Sequence, residues 1–542
     1  MYTGKNLSAH GNTGKQVMYR RFLSMKHITH CSLRILRQII HRQRQQDNNN
    51  NLTPDNQSRN YDTMKLKGLN DIYRFFSENK TPIYFISASP FNVLGLGQLV
   101  PTLQYINYFD CFDSHHHRVF TPDERDAPEF ESMVDVVNYL LRKKEVVNLI
   151  RSQAPGGKLL TVMFDEETEV LAKKLGLEIA LPPAELRDRI DSKIFTTQLA
   201  NEAGVASVPN KLGKADTYEA LCKQAKSAGL GDQLVVQTPY GDSGRTTFFI
   251  DNAEDWQRYE KDIVGEELKI MKRIDPISGT VEGVATRYGT LVGPVMMEVV
   301  GHTDITPYKG GWCGNETAAT VFTESQRNRI IEMTRALGER LYKEGYKGTF
   351  CMDFLIDRDT EEVYLGEINP RISGASPVTN LITQKYGGVP LLFFHLLEFF
   401  DVEYELDFDA IQERWLHYDS WSTLVLKQTH DKVGLITSAP ASGIWRIDEQ
   451  GEIEFLRRSV DWSNASDQAE GFFLRILGPG EYSYKGADLG ILLTRGRVQD
   501  SEGQINERAV SWNNAIKQSY STTLPAPDMN LKKHDGLLYK IN

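Results

Sequence analysis

Apolar and polar positions alternate most regularly between Gly348 and Ser376, in GTFCMDFLIDRDTEEVYLGEINPRISGAS. Phe350, Met352 and Phe354 fall on one face of a strand and Asp353 on the other. A polar DRDTE turn and a second run, VYLGEIN, complete the pattern of a β-hairpin. A turn centred near Thr360 sets Asp353 opposite Glu367 and puts Asn369 on the same face as Glu367. Two facing carboxylates and an amide oxygen, without Cys or His, suit a hard ion such as Mg²⁺, which keeps substrate phosphates as further ligands. Arg371 follows and offers a bidentate fork to a carboxylate or a phosphate. Any one of these charges taken singly reads as a solvated surface group. Glu367 and Arg371 flanking Asn-Pro in an otherwise apolar strand require a role.

The same patterning organises the rest of the chain. Residues 82–87 (PIYFIS) form a strand of the buried type that runs into a loop containing Gly95 and Gly97. A second strand is predicted over 158–164, followed by the helix DEETEVLAKKLG, which stops at Gly176. Strand and helix alternating in this way predict a small parallel α/β domain over 66–185. The triplet His115, His116, His117 reads as a solvated loop, because adjacent side chains cannot all point one way. Asp191 is the expected N-cap of a helix in which Phe195, Leu199 and Ala203 recur at i+4 and which Gly204 ends. Lys193 opposes the helix dipole in the first turn, which suits a lysine held for a phosphate, a solvated lysine being the ordinary alternative. The strand 234–237 (LVVQ) leads into TPYGDSGRTTFFI. There Gly241, Asp242, Ser243 and Gly244 let backbone N–H groups approach phosphate oxygens, and Arg245 adds a fixed charge. An ordinary hairpin turn has the same composition. Residues 302–316 read as a Gly-rich loop, either a lid carrying His302 or Lys309 to a substrate or an inert surface loop. Strand-like runs over 401–525 predict an α+β or mainly β region that closes one side of the site, with a tail over 526–542. Arg446, Arg475, Arg495 and Arg497 in it are either contacts for an acidic substrate or exposed strand arginines.

Composition narrows the class. The chain has 542 residues, 40% of them hydrophobic, enough for several packed domains. It has no apolar run of about 18 residues, so no membrane span is expected. A net charge of −10 argues against general nucleic-acid binding. Five cysteines without a CxxC fit reduced thiols in a cytoplasmic compartment. Residues 1–46 hold nine Lys or Arg and no acidic residue, and an Asn-rich linker follows. Residues 1–63 are therefore expected to be a disordered extension: an organellar targeting peptide, a cationic arm for nucleic acid or lipid, or sequence preceding a later start at Met25 or Met64.

In order, these pieces resemble the ATP-grasp superfamily over about residues 80–400, with its acidic residue on one strand and E-x-N-P-R on the next. The resemblance implies an α/β domain followed by an ATP-grasp domain over 186–400 that clamps ATP between two α+β subdomains. It implies that Lys193 is the first nucleotide lysine and that Gly241, Ser243, Gly244 and Arg245 belong to the lid over the phosphates. Asp353, Glu367 and Asn369 would hold Mg²⁺ or Mn²⁺, and Arg371 would dock the substrate carboxylate. Two positions depart from the pattern. Gln237 stands where the second nucleotide lysine is usual, and LKIMKRIDP lacks the usual hinge Glu, so that adenine would be read by backbone groups. Glu282 is the candidate acid of the ATP site. The implied reaction is a carboxylate–amine ligation: a small-molecule carboxylate attacks the γ-phosphate of ATP, and an amine displaces phosphate from the acyl phosphate. Biotin carboxylase is the alternative within the superfamily, but Ala375 stands where that enzyme has the Glu that deprotonates bicarbonate. A nucleotide-binding regulator without turnover is the non-catalytic alternative, and a homodimer is left open.

Overall fold

The computed structural model describes residues 65–122, 130–153, 156–241 and 246–524. The extension expected over 1–63, the tail over 526–542, and Ser243, Gly244 and Arg245 lie outside the described residues.

The first region is the parallel α/β sheet that the alternation predicts. Strands β1 (Ile83–Ser87), β2 (Leu103–Asn107), β3 (Val119–Phe120), β4 (Gly157–Leu160) and β5 (Leu177–Ile179) pair in the order β3-β2-β1-β4-β5, all parallel. β1 is buried at every position, as a strand covered on both faces must be. The helix Glu166–Lys174 is capped by Asp165, whose carboxylate accepts from the Thr168 N–H. The histidine triplet is only partly solvated. His115 and His117 are exposed, but His116 packs edge-on against Tyr105, and burial pushes its pKa down to about 4.

The next four strands make a separate antiparallel sheet. β6 (Asn210–Gly213), β7 (Leu234–Gln237), β8 (Thr247–Ile250) and β9 (Leu268–Lys272) run in the order β6-β9-β7-β8. Leu221, Trp256 and Ile270 belong to the apolar core beneath it.

The largest element is an antiparallel sheet that runs from the predicted hairpin into the C-terminal region. β10 (Pro276–Thr286), β11 (Gly289–Val292), β12 (Met296–Val300), β13 (Trp312–Thr317), β14 (Gly348–Asp357), β15 (Val363–Asn369) and β16 (Trp421–Lys427) are followed by seven shorter or later strands. These are β17 (Gly434–Ser438), β18 (Gly443–Ile447), β19 (Ile453–Arg457), β20 (Glu470–Arg475), β21 (Tyr482–Ser483), β22 (Asp488–Arg495) and β23 (Ser521–Thr523). The main path is β15-β14-β10-β12-β13-β16-β22-β20-β18-β19, with β11 on β10. β21, β17 and β23 form a small sheet of their own.

The C-terminal region continues the central sheet, because β16 pairs directly with β13, with Asn315 opposite Thr423. A buried Glu316 reinforces the join by accepting from Arg497 Nε and from the backbone N–H of Val498 and Gln499. The segment read as a loop to Glu316 turns into strand β13 at Trp312, so Asn315 and Glu316 are sheet residues. The four C-terminal arginines all pair with carboxylates of this chain: Arg446 with Glu470, Arg475 with Asp113, Arg495 with Asp419 and Arg497 with Glu316.

The first sheet is tied to the hairpin. His395, fully buried, accepts the Thr349 N–H at Nδ1 and donates from Nε2 to the Ala180 carbonyl, both bonds within 2.9 Å. Asn92 donates to the Ser373 carbonyl, just beyond Arg371. Among the described residues no helix is long and apolar enough to cross a membrane.

Candidate active site

The hairpin register brings the acidic pair together. Asp353 is opposite Glu367 and Cys351 is opposite Asn369. A bulge lies between Asp353 and Phe354, so the register towards the turn is shifted by one residue. The bulged residue is Gly366, and a Cβ there would stand 3.1 Å from the Asp353 carbonyl. Asn369 Nδ2 donates to Asp353 Oδ2 at 2.8 Å, and Arg371 Nη1 donates to Asn369 Oδ1 at 2.5 Å. Burial first, then the facing Glu367, push the Asp353 carboxyl up to about 7. Arg371 is 6% exposed, and its Nε has no hydrogen-bond partner among the described residues.

Lysines approach this pair from the other side. Ser192, not Asp191, caps the helix Lys193–Glu202, accepting from the Phe195 N–H, while Asp191 ends the preceding helix. Lys193 is buried at the first helical position, and its Nζ lies 3.0 Å from Glu367 Oε2 and 2.6 Å from the Gly241 carbonyl. It therefore bridges the acidic hairpin and the start of the Gly-rich loop. Gln237, on β7, donates to Thr247 Oγ1. Its register partner on β9 is Lys269, which is 1% exposed with Nζ 3.5 Å from the Gly366 carbonyl. Burial pulls Lys269 down to about 8, Glu367 opposing and Lys193 adding to the shift. An ammonium thus stands beside Gln237, carried by the neighbouring strand.

These groups, Lys269 excepted, line one cavity of about 790 Å³. Val235, Met271, Ile274 and Phe249 give part of it an apolar wall, and Met271 and Ile274 flank the hinge between β9 and β10. Ser132 and Met133 of the first region also reach it. Glu282, expected to face the nucleotide, does not line the cavity. It is 1% exposed and accepts from Ser373 Oγ at 2.8 Å and from Ser376 Oγ. Burial raises its pKa. Glu282 is a strut under the segment that follows Arg371. His302 and Lys309 are not among the lining residues, and Lys309 is exposed.

Two lining residues escaped the sequence reading. Glu298 on β12 and Asn315 on β13 are register partners facing the cavity. Burial, then Asp353 and Glu367, push the Glu298 pKa up. With Lys269 they share one signal, a polar residue inside an apolar strand run (LKIMK, MMEVV, WCGNET), which periodicity alone does not interpret.

The oxygen donors of this wall fit a hard divalent ion. Asp353 and Glu367 are the carboxylates, Asn369 orders Asp353, and among the described residues no cluster of three or more His, Cys, Asp or Glu forms a closed metal cage. Such an open set leaves coordination positions to phosphate oxygens and water.

No protein-family model matches the chain. It is 24% identical over 260 residues to the carbamoyl phosphate synthase large chain of Neisseria meningitidis, which is 46% of this chain and 22% of that protein. The chain spans about a fifth of the length of that curated relative. Among solved structures it is similar to biotin carboxylase of Campylobacter jejuni in complex with an ATP species (TM-score 0.55, 14% identity, covering 81% of this chain and 92% of that one). It is also similar to the biotin carboxylase domain of Hydrogenobacter thermophilus 2-oxoglutarate carboxylase, in complex with MgADP, ADP and bicarbonate (TM-score 0.54, 15% identity, covering 82% and 91%).

Proposed function

Starting from the ATP-grasp fold that this chain has, we propose that it is an ATP-dependent ligase that activates a small-molecule carboxylate and joins it to an amine. The observation that carries the reading is the meeting of Asp353, Glu367, Lys193 and Arg371 around one cavity. Mg²⁺ or Mn²⁺ held by Asp353 and Glu367, with Asn369 beside them, supplies charge neutralisation on the phosphate oxygens of ATP. Lys193 binds the phosphates between the hairpin and the Gly-rich loop, with Gly241, Ser243, Gly244 and Arg245 as the loop's contribution. Lys269 takes the place of the lysine that Gln237 lacks. Arg371, with its free Nε, docks the substrate carboxylate. A carboxylate oxygen attacks the γ-phosphorus, and the β–γ bridging oxygen leaves with its electrons on ADP. The amine nitrogen then attacks the acyl carbon, the C–O bond to phosphate breaks, and the nitrogen gives up a proton.

The fold likeness to biotin carboxylases favours bicarbonate and biotin as a second reading. Against it, the cavity wall carries Ala375, 3% exposed, which cannot take a proton from bicarbonate. The test is ADP release in the presence of Mg²⁺ with pooled carboxylic acids, hydroxylamine serving to trap an acyl phosphate as its hydroxamate. Hydroxamate formation dependent on ATP and on one acid is the expected result. ATP cleavage that requires bicarbonate, rises with biotin and persists without any amine would establish the second reading instead.

A further inference from the structure

The cavity holds a polar pair that neither phosphate binding nor the carboxylate dock employs. Glu298 and Asn315 are directly opposite each other on β12 and β13, so their side chains share a face and lie within reach of one small group. Both line the cavity. Asn315 is fully buried, and neither Nδ2 nor Oδ1 finds a hydrogen-bond partner among the described residues. A buried amide with both donor and acceptor unanswered is costly unless something outside the chain answers it.

Glu298 stands on a different strand from the hairpin carboxylates. β12 is two strands from β14, with β10 between them, so the two backbones are about 10 Å apart at roughly 4.8 Å per strand. No metal-ligating group of three forms among the described residues. The charged groups that act on Glu298 across the cavity, Asp353 and Glu367, are both acidic. Within the chain Ser278 on β10 offers it a hydroxyl, and a carboxyl whose pKa is held up by burial and these two acids is able to take a proton from a bound ammonium.

We infer that Glu298 and Asn315 are the recognition site for the primary amine of the second substrate. The ammonium donates to the Glu298 carboxylate, which takes its extra proton before the nitrogen attacks, and to Asn315 Oδ1, and Asn315 Nδ2 donates to an oxygen next to the amine in the same molecule. Trp312, on the same strand, lines the cavity and gives the body of the amine an apolar surface. The substrate class is a primary amine with an adjacent carbonyl or carboxylate, as in an amino acid or its amide. The assignment rests on the ligase reading for its chemistry and on the unanswered Asn315 amide for its position.

The experiment uses the full chain with Mg²⁺ and a non-hydrolysable ATP analogue. Binding of glycinamide, ethylamine and free biotin is followed by ligand-observed NMR for the wild type, Glu298→Gln, Glu298→Asp and Asn315→Ala. Thermal melting and analogue affinity serve as checks of folding and of the nucleotide site. The expected result is glycinamide bound more tightly than ethylamine. Its affinity should fall about tenfold or more in Glu298→Gln, which removes a charged hydrogen-bond acceptor. Part of it should return in Glu298→Asp, and Asn315→Ala should erase the preference for glycinamide over ethylamine. Analogue affinity should stay unchanged throughout. Amine binding that is absent from the wild type, equal in all variants, or replaced by biotin binding overturns the proposal. Hydroxamate trapping separates its fate from that of the ligase reading, since hydroxylamine is a neutral nucleophile without the adjacent carbonyl and does not need the Glu298–Asn315 pair. Amines lost in Glu298→Gln without any hydroxamate would leave the site standing and remove the reaction. Hydroxamate with amine binding indifferent to Glu298 would do the reverse.

Discussion

The two sides of the cavity are built by different kinds of contact. On the large-sheet side Asp353 and Glu367 face each other across a hairpin whose partners are only 14 residues apart in the chain. On the small-sheet side Lys269, from β9 paired with β7, comes up behind the wall to the Gly366 carbonyl, and Lys193 reaches Glu367 from a helix in a third stretch of chain. The acidic side is preassembled by local pairing. The cationic side exists only when segments separated by about 100 residues or more dock, as the Lys193–Glu367 bridge and the Lys269–Gly366 contact show. The two sides bring opposite signs of charge to one place, which is what a metal-bound phosphate chain would require.

The comparison is broken most severely at Glu367. Glu367→Gln removes one charge at nearly constant volume, and ADP release should fall on the order of 10²–10³-fold with the melting temperature unchanged. Unaltered turnover at saturating Mg²⁺ would remove the metal assignment. Lys269→Met tests whether β9 has taken over the role of position 237. Turnover should drop roughly 10–100-fold, as for loss of one preorganised charge, whereas Gln237→Ala should change it about twofold or less. The comparison fails if Gln237→Ala is the more damaging of the two. Arg371→Lys keeps the charge and loses the fork, so the KM for the carboxylate substrate should rise about tenfold with ATP affinity held. A shift in ATP affinity instead would move Arg371 from the carboxylate to the phosphates.

The smallest expected effect sharpens the local side. His395 fixes the start of the hairpin strand to the first sheet as a neutral ring with both nitrogens engaged. Burial holds its pKa down at about 4 against an ordinary 6.5. The folded pKa is the lower one, so this contribution is complete above pH 6.5 and is lost as pH falls towards 4. The loss amounts to about 3.5 kcal/mol at most, taking ~1.4 kcal/mol per unit. Urea unfolding midpoints measured from pH 7 to 4.5 should fall in the wild type and show a shallower slope in His395→Gln. Equal slopes would show that folding does not shift the pKa of the ring.

The amino-acid sequence by itself determined what depends on near neighbours. Period-2 alternation around a polar turn put Asp353 opposite Glu367, and the bulge at Gly366 did not disturb that pair because the shift begins on its turn side. Two of the five parallel strands of the first region and the helix carrying Lys193 followed from apolar runs and glycines in the same way, although the cap of that helix is Ser192 and not Asp191. Only the tertiary structure decided which distant strands pair. It set Lys269 beside Gln237, set Glu298 beside Asn315, buried Glu282 under two serines instead of facing it to the nucleotide, and ran β16 onto β13 so that the C-terminal region became part of the central sheet. A strand's own pattern fixes which face is buried, but its partner and register across long separations are fixed by packing and loop closure, which no local window contains.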